Sequence, residues 1–137
     1  MLNTYGFQVL RTLGKGNFNH VFQLYNDEYS IVAAKVMNDN EIDLNDLQTT
    51  IQKIQGDQNP FVLKYQSAEA FDRNAIILMD YANMKNLDML IETKKDIPIP
   101  IIRAVMRQTL EGLSLIHEKG IVHGNIKGQN ILLHCPP

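Results

Sequence analysis

Three short stretches of β-forming residues, each followed by turn residues, open the chain and limit the folds it can adopt. Apolar residues occur at Phe7, Val9 and Leu13, continue from Val21 to Leu24, and return from Ile31 to Val36. A glycine-containing turn separates the first two stretches, and an Asn-Asp-Glu turn separates the second and third. This pattern predicts three consecutive strands near the start of the chain.

A helix, two strands and further helices are predicted after these strands. Apolar residues at helical spacing between residues 43 and 55 predict an amphipathic helix that ends at Gly56. Two more strands are predicted at Phe61–Phe71 and Ala75–Met79. The remaining predicted features are a short helix at Leu87–Ile91, a proline break at Pro98 and Pro100, and a longer helix at Ile101–Lys119. The order is β-β-β-α-β-β followed by helices.

Composition excludes several classes of partner and setting. Thirteen basic and fifteen acidic residues give a formal charge of −2, without the basic surplus expected of a nucleic-acid binder. The apolar runs are far shorter than the roughly 20 residues that cross a bilayer, and the N-terminus lacks the features of a signal peptide. Cys135 is the single cysteine, so no internal disulfide can form. These features predict a cytoplasmic protein without a nucleic-acid or membrane partner.

The most specific motif of the chain lies at His123–Leu133, which reads H-G-N-I-K-G-Q-N-I-L-L. It resembles the catalytic loop of protein kinases, H-R-D-x-K-x-x-N-I-L-L, and the resemblance extends back to about Arg103. Two central residues depart from that pattern: Gly124 stands in place of the arginine, and Asn125 stands in place of the catalytic aspartate.

The resemblance implies a role for each remaining polar residue of the loop. Lys127, which is typical of serine/threonine kinases at this position, would neutralise the transferring phosphate, and Asn130 would bind the second magnesium ion. Asn125 cannot act as the base, because an amide has no carboxylate to accept the proton of a substrate hydroxyl. Losing a positioned base costs about 10²–10⁴ in rate.

Two motifs nearer the N-terminus resemble the nucleotide-binding parts of the same family. Leu13-Gly14-Lys15-Gly16 is similar to the glycine-rich loop that covers the ATP phosphates, although Asn19 replaces its third glycine. Val32-Ala33-Ala34-Lys35 is similar to the V-A-I-K strand motif, which implies that Lys35 contacts the phosphates. The helix position expected to hold a glutamate for this lysine is Thr50. The ion pair of an active kinase is therefore predicted to be absent.

The adenine-binding residues are also implied by the resemblance. Met79 corresponds to the gatekeeper at the end of the last small-lobe strand, and the backbone at Asp80 and Ala82 would face adenine. The side chains implied to surround the adenine ring are Leu13, Val21, Ala33, Met79 and Leu132.

The resemblance predicts an α+β fold that is only part of a kinase. Residues 1–79 form the small lobe, an antiparallel sheet with one helix; residues 80–86 form the hinge; and residues 87–137 form the first helices of the large lobe. The D-F-G aspartate would come after the catalytic loop, where this chain supplies only His134-Cys135-Pro136-Pro137. Magnesium binding is thus disfavoured, and the apolar helices of the large lobe are expected to bind a protein partner or to self-associate.

Three functional interpretations follow. The first is a serine/threonine-kinase-like protein that has residual ATP binding but no phosphotransferase activity. The second is an active serine/threonine kinase represented by a truncated chain, and the third is an interaction module that does not bind nucleotide. A dinucleotide-binding fold, suggested by Gly14-x-Gly16, is disfavoured because that fingerprint opens a helix, whereas residues 18–25 are predicted to form a strand.

Overall fold

The computed structural model describes residues 6–15, 19–38, 43–55, 59–71 and 74–136. The described residues form an antiparallel sheet and three α-helices, with a single 3-10 turn at Gly128–Asn130. The elements are β1 Gln8–Lys15, β2 Asn19–Asn26, β3 Ser30–Asn38, α1 Leu44–Gln55, β4 Tyr65–Phe71, β5 Asn74–Asp80, α2 Leu87–Glu92 and α3 Ile99–Glu118.

The predicted element order and α+β fold are confirmed, but two predicted boundaries are wrong. The strand expected at Phe61–Phe71 begins only at Tyr65. Phe61 packs against Gly112 of α3 and does not join the sheet. The long helix begins at Ile99, so Pro100 lies in its first turn. Proline fits there because the first N–H groups of a helix have no partner within the helix. The predicted helix end at Gly56 lies outside the described residues.

The sheet order is β1-β2-β3-β5-β4, and all neighbouring strands are antiparallel. Side chains alternate between the two faces of such a sheet. One face carries the core cluster of Leu24, Val32, Ala34 and Leu78, which are all buried. The opposite face carries the neighbours of these residues along each strand, and it includes the predicted nucleotide-site residues of β2, β3 and β5.

The described residues divide into two compact units. The first comprises the five strands and α1, and it ends at Tyr81. The second comprises residues 59–62 together with residues 82–136. None of the helices in the described ranges is both long and apolar enough to cross a membrane.

A close contact within the second unit explains why Phe61 is not part of β4. The side-chain amide of Asn59 donates a hydrogen bond to the carbonyl of Gly112 in α3, at 3.0 Å. The Asn59 amide oxygen also accepts from the backbone N–H of Phe61, at 3.1 Å. A Cβ atom added to Gly112 would lie 2.9 Å from the Phe61 Cβ atom. Gly112 therefore permits α3 to contact the segment before β4.

We expect Gly112→Ala to lower the free energy of unfolding of the second unit. The Phe61 Cβ atom cannot rotate away, so overpacking costs about 1–3 kcal/mol. Alanine recovers only up to about 1 kcal/mol of helix propensity. Urea unfolding followed by the helical circular dichroism signal measures the difference. Gln108→Ala, at an exposed position of the same helix, is the matched control. Equal or greater stability of Gly112→Ala would contradict the close packing.

Candidate functional site

Four predicted nucleotide-site residues lie on one face of the sheet. Val21 of β2 is directly opposite Lys35 of β3, and Ala33 of β3 is directly opposite Met79 of β5. Ala33 and Lys35 are two residues apart in one strand, so both pairs are on the same face. That face is opposite the one that carries the core cluster. The strand register alone therefore groups these four side chains.

The chemical character of this face is apolar with one cation. Ala33 is buried, whereas Val21, Lys35 and Met79 are half-buried. Lys35 forms no ion pair with any residue within the described ranges. Thr50, the position expected to hold a glutamate, lies in α1 and carries no charge. Such a face can accept a flat apolar ring beside an anionic group.

Asp43, the acidic residue immediately before α1, caps that helix. A side-chain oxygen of Asp43 accepts hydrogen bonds from the backbone N–H groups of Asn45 and Asp46, at 3.0 and 3.2 Å. Acidic caps satisfy N–H groups that have no partner within the helix and complement its dipole. The role of Asp43 is therefore explained at the start of α1.

The glycine-rich segment is described only in part. Gly14 pairs with Val21, and the register is irregular between Thr12 and Gly14. A Cβ atom added to Gly14 would meet no other atom within 4 Å, so packing does not require glycine at this position. Leu13 and Lys15 are exposed, and Gly16 lies outside the described residues.

Contacts with β4 fix the end of β5. Met79 lies opposite Tyr65, and burial raises the pKa of the Tyr65 phenol. The backbone N–H of Asp80 donates to the carbonyl of Lys64 at 2.8 Å. The Asp80 carboxylate accepts a hydrogen bond from the side-chain amide of Gln66 at 2.6 Å. The Asp80 side chain thus has a structural role in the sheet. Ala82, the other predicted hinge contact, begins the second unit and is half-buried.

Two hydrogen bonds shape the catalytic-loop motif in the second unit. The backbone N–H of Asn125 donates to Nδ1 of His123 at 3.2 Å. The side-chain amide of Asn130 donates to the backbone carbonyl of Asn125 at 2.9 Å. The structure therefore brings Asn125 and Asn130 together, whereas the Lys127 side chain is exposed between them. Within the described ranges, no group of three or more His, Cys, Asp or Glu residues could hold a metal ion.

Glycine at position 124 fits the backbone of this loop. Gly124 has a φ angle of +72°, in the left-handed region. Glycine adopts this conformation readily, whereas a residue with a side chain is disfavoured there by roughly 1–2 kcal/mol. Glycine therefore suits this backbone, and it lacks the cation of the arginine in the family motif.

A contact between α2 and the catalytic loop was not predicted from the sequence. A Cβ atom added to Gly128 would clash with the carboxylate of Asp88, in the first turn of α2. A side chain at position 128 would therefore require the Asp88 carboxylate to move. In the sequence, the only indication of this contact is that a glycine, Gly128, follows Lys127.

The residues that follow the catalytic loop pair with those before α2. Asn86 and Leu132 form a β-bridge, which places Leu132 beside the start of α2. The side chain of Asn83 makes two hydrogen bonds to the backbone of Cys135: its amide nitrogen donates at 2.6 Å, and its oxygen accepts at 2.9 Å. The side-chain amide of Asn83 thus makes the two hydrogen bonds that a backbone peptide group makes in paired strands. The sequence pattern did not predict this role.

Comparison with known proteins supports the same family as the motifs. The family model described as protein kinase domain matches residues 7–136. The chain is 28% identical over 133 residues to serine/threonine-protein kinase ULK3 of Mus musculus, and the match covers 93% of this chain and 28% of the relative. It is 29% identical over 130 residues to serine/threonine-protein kinase 10 of Rattus norvegicus, covering 93% of this chain and 13% of the relative.

A third relative is the cytokinesis protein sepH of Aspergillus terreus, 28% identical over 127 residues, with 92% of this chain and 10% of the relative covered. The chain thus spans less than a third of the length of each of these relatives. The family match over residues 7–136 and the relatives of serine/threonine type confirm the predicted resemblance. The chain belongs to the protein kinase domain family and is similar to its serine/threonine kinases.

Proposed function

We propose that this chain is a serine/threonine-kinase-like domain that binds ATP without transferring its phosphate. The observation that carries the proposal is the catalytic loop, in which Asn125 lies where the family places its base. The hydrogen bond from the Asn130 side chain to the Asn125 carbonyl gives this loop a defined shape. We therefore attribute the proposed loss of activity to the chemistry of the Asn125 side chain.

The loss of phosphoryl transfer follows from the Asn125 side chain. A kinase base accepts the proton of the substrate hydroxyl as that oxygen attacks the phosphorus atom. The nitrogen lone pair of an amide is delocalised into its carbonyl group, so Asn125 is not basic at neutral pH. Removing a positioned base costs about 10²–10⁴ in rate, and turnover is expected to fall by that factor.

Nucleotide binding is supported by the composition of the sheet face. Val21, Ala33 and Met79 would pack against adenine, and Lys35 would contact the phosphates. ATP, when bound, would supply an aromatic ring and an anionic tail, which fit an apolar face that bears one cation. Gly14 would let the backbone approach the phosphates closely, since no packing contact explains a glycine there.

Magnesium is a separate question from nucleotide binding. In the catalytic loop, the amide oxygen of Asn130 is the ligand that the family motif implies. Magnesium sites in proteins usually combine one or two carboxylates with substrate phosphates and waters. One amide oxygen alone is a weak site, so we propose that nucleotide affinity depends little on magnesium.

A cytoplasmic location remains a prediction.

We expect ATP to bind the wild-type protein and Lys35→Ala to weaken that binding roughly tenfold or more. The loss reflects a charge-assisted contact with phosphate, worth about 1.5–3 kcal/mol. Isothermal titration calorimetry with ATP, in the presence and absence of magnesium, measures the affinity. Lys95→Ala is the matched control, because Lys95 is an exposed lysine of the second unit. Absence of ATP binding by the wild type would favour the interaction module without nucleotide.

We expect no phosphate transfer from radiolabelled ATP to a generic basic protein substrate. Mouse ULK3, named a serine/threonine-protein kinase, serves as the positive control in the same assay. An Asn125→Asp variant places a carboxylate at the position of the base and tests whether the amide alone accounts for the defect. Transfer by the wild type that is abolished in Lys35→Ala would contradict the proposal and would support an active kinase.

A second candidate function is self-association through α3. Ile99, Ile102, Met106 and Leu110 are all exposed, Leu110 by 60% of its surface. Their spacing of three or four residues forms one apolar stripe along the helix. Exposed apolar patches of this kind commonly mark interaction sites. We propose that a second copy of this chain covers the stripe.

The order of charges beside the stripe supports this choice of partner. Arg103 lies near the start of α3 and Glu118 at its end, on the same side of the helix, whereas Arg107 and Glu111 pair with each other within the helix at 2.7 Å. Two such helices that lie antiparallel would place the basic half of one beside the acidic half of the other. Complementary charges of this kind orient helix pairs.

We expect the wild-type protein to dimerise in sedimentation equilibrium and Met106→Glu to be monomeric. The substitution would place a carboxylate in the apolar contact, where burying an unpaired charge is unfavourable. Gln108→Glu introduces the same charge outside the stripe and should leave the dimer intact. A wild-type protein that stays monomeric at every concentration, or a Met106→Glu variant that still dimerises, would contradict this second candidate.

A further inference from the structure

A hydrogen-bond network connects the first strand of the sheet to the residue that follows β5. The Nε atom of Arg11 donates to the side-chain oxygen of Gln23 at 2.7 Å. A terminal nitrogen of the same guanidinium donates to the Tyr81 hydroxyl oxygen at 2.6 Å. We call these three residues the Arg11 network. Both distances are short, as is usual for hydrogen bonds donated by a charged guanidinium group.

Gln23 anchors the Arg11 network from inside the protein. Only 9% of Gln23 is exposed, and it is the one buried polar residue among those described. Gln23 lies directly opposite Arg11 in the β1–β2 pairing. A buried amide oxygen requires a donor, and Arg11 supplies it. Because the guanidinium is planar and rigid, bonding Nε to Gln23 also orients the terminal nitrogen toward Tyr81.

The network lies on the face of the sheet proposed to bind nucleotide. Gln23 is opposite Ala33, and Ala33 is opposite Met79. Arg11, Gln23, Ala33 and Met79 therefore form one row across four strands. Lys35 belongs to the neighbouring row, with Val21 on β2. The Arg11 network therefore lies in the same row as Ala33 and Met79, which would pack against adenine. Lys35, which would contact the phosphates, lies in the neighbouring row.

We infer that Arg11 is a positioning residue for adenine binding. It acts through Tyr81, which directly follows Asp80, a residue whose backbone would contact the ring. By bonding the Tyr81 hydroxyl, Arg11 restricts the conformations of this segment before ligand arrives. A preorganised site loses less conformational entropy on binding. The inference rests on the proposed nucleotide binding and adds a residue that makes no ligand contact itself.

The test compares affinities for adenosine and for ATP by calorimetry. Arg11→Ala should weaken both ligands by the same factor, roughly threefold to tenfold, as expected for the loss of a modest hydrogen bond. Lys35→Ala should weaken ATP and leave adenosine unchanged. Arg11→Lys should resemble Arg11→Ala, because an ammonium group lacks the planar fork that bonds both partners at once. Arg103→Ala, an exposed arginine of the second unit, is the control.

A double-mutant cycle with Tyr81→Phe tests whether Arg11 affects adenosine binding through Tyr81. Tyr81→Phe should weaken adenosine by a similar factor, and the Arg11→Ala/Tyr81→Phe double variant should be no weaker than Arg11→Ala alone. Amide hydrogen exchange should accelerate at Asp80 and Tyr81 in Arg11→Ala and stay unchanged in α3. Unchanged amide exchange in α3 also shows that the Arg11→Ala variant is folded.

The outcomes separate this inference from the proposed function. If the wild type binds neither ligand, the proposed function and the inference both fail. If the wild type binds adenosine and Arg11→Ala binds it equally well, only the inference fails. Additive effects of Arg11→Ala and Tyr81→Phe would also overturn it, because they would show that Arg11 does not act through Tyr81.

Discussion

The antiparallel register through β3 is the constraint on which the first unit depends. This strand pairs with β2 on one side and β5 on the other, and side chains alternate along it. Val32 and Ala34 enter the core, whereas Ala33 and Lys35 face the other way. A shift of one residue would exchange the two faces and place Lys35 in the core. The buried cluster therefore also determines which side chains lie on the opposite face of the sheet.

The second unit depends on close approaches at two glycines. Gly112 allows α3 to contact Phe61 at the Cβ atom, and Gly128 lies against the carboxylate of Asp88 in α2. The hydrogen bond from Asn130 to Asn125 completes the loop between these contacts. The loop therefore has a hydrogen-bonded backbone with a non-basic residue, Asn125, at its centre. Loop shape and chemical competence are separable properties, since backbone contacts set the first and a single side chain sets the second.

Most elements of the fold could be predicted from the sequence because their signals are local. Alternating and helical periodicities located the strands and helices, and the motifs indicated the protein kinase family. The errors arose where tertiary contacts override local preference. Phe61 reads as part of a strand, but it packs against Gly112. Pro100 reads as a break, but the first turn of a helix tolerates it. The Arg11 network joins residues 70 positions apart, and no periodicity reveals such a contact.

The sequence by itself determined the family and the chemical identity of the site, because both depend on which residues occur at motif spacing. Asn125 is an amide in any conformation, so its lack of basicity required no structure. Only the tertiary structure decided which side chains share a face, that Asp80 bonds to Gln66, and that Asn83 binds the backbone of Cys135. These relations join residues distant in sequence. They depend on strand register and close packing, which the folded chain establishes as a whole.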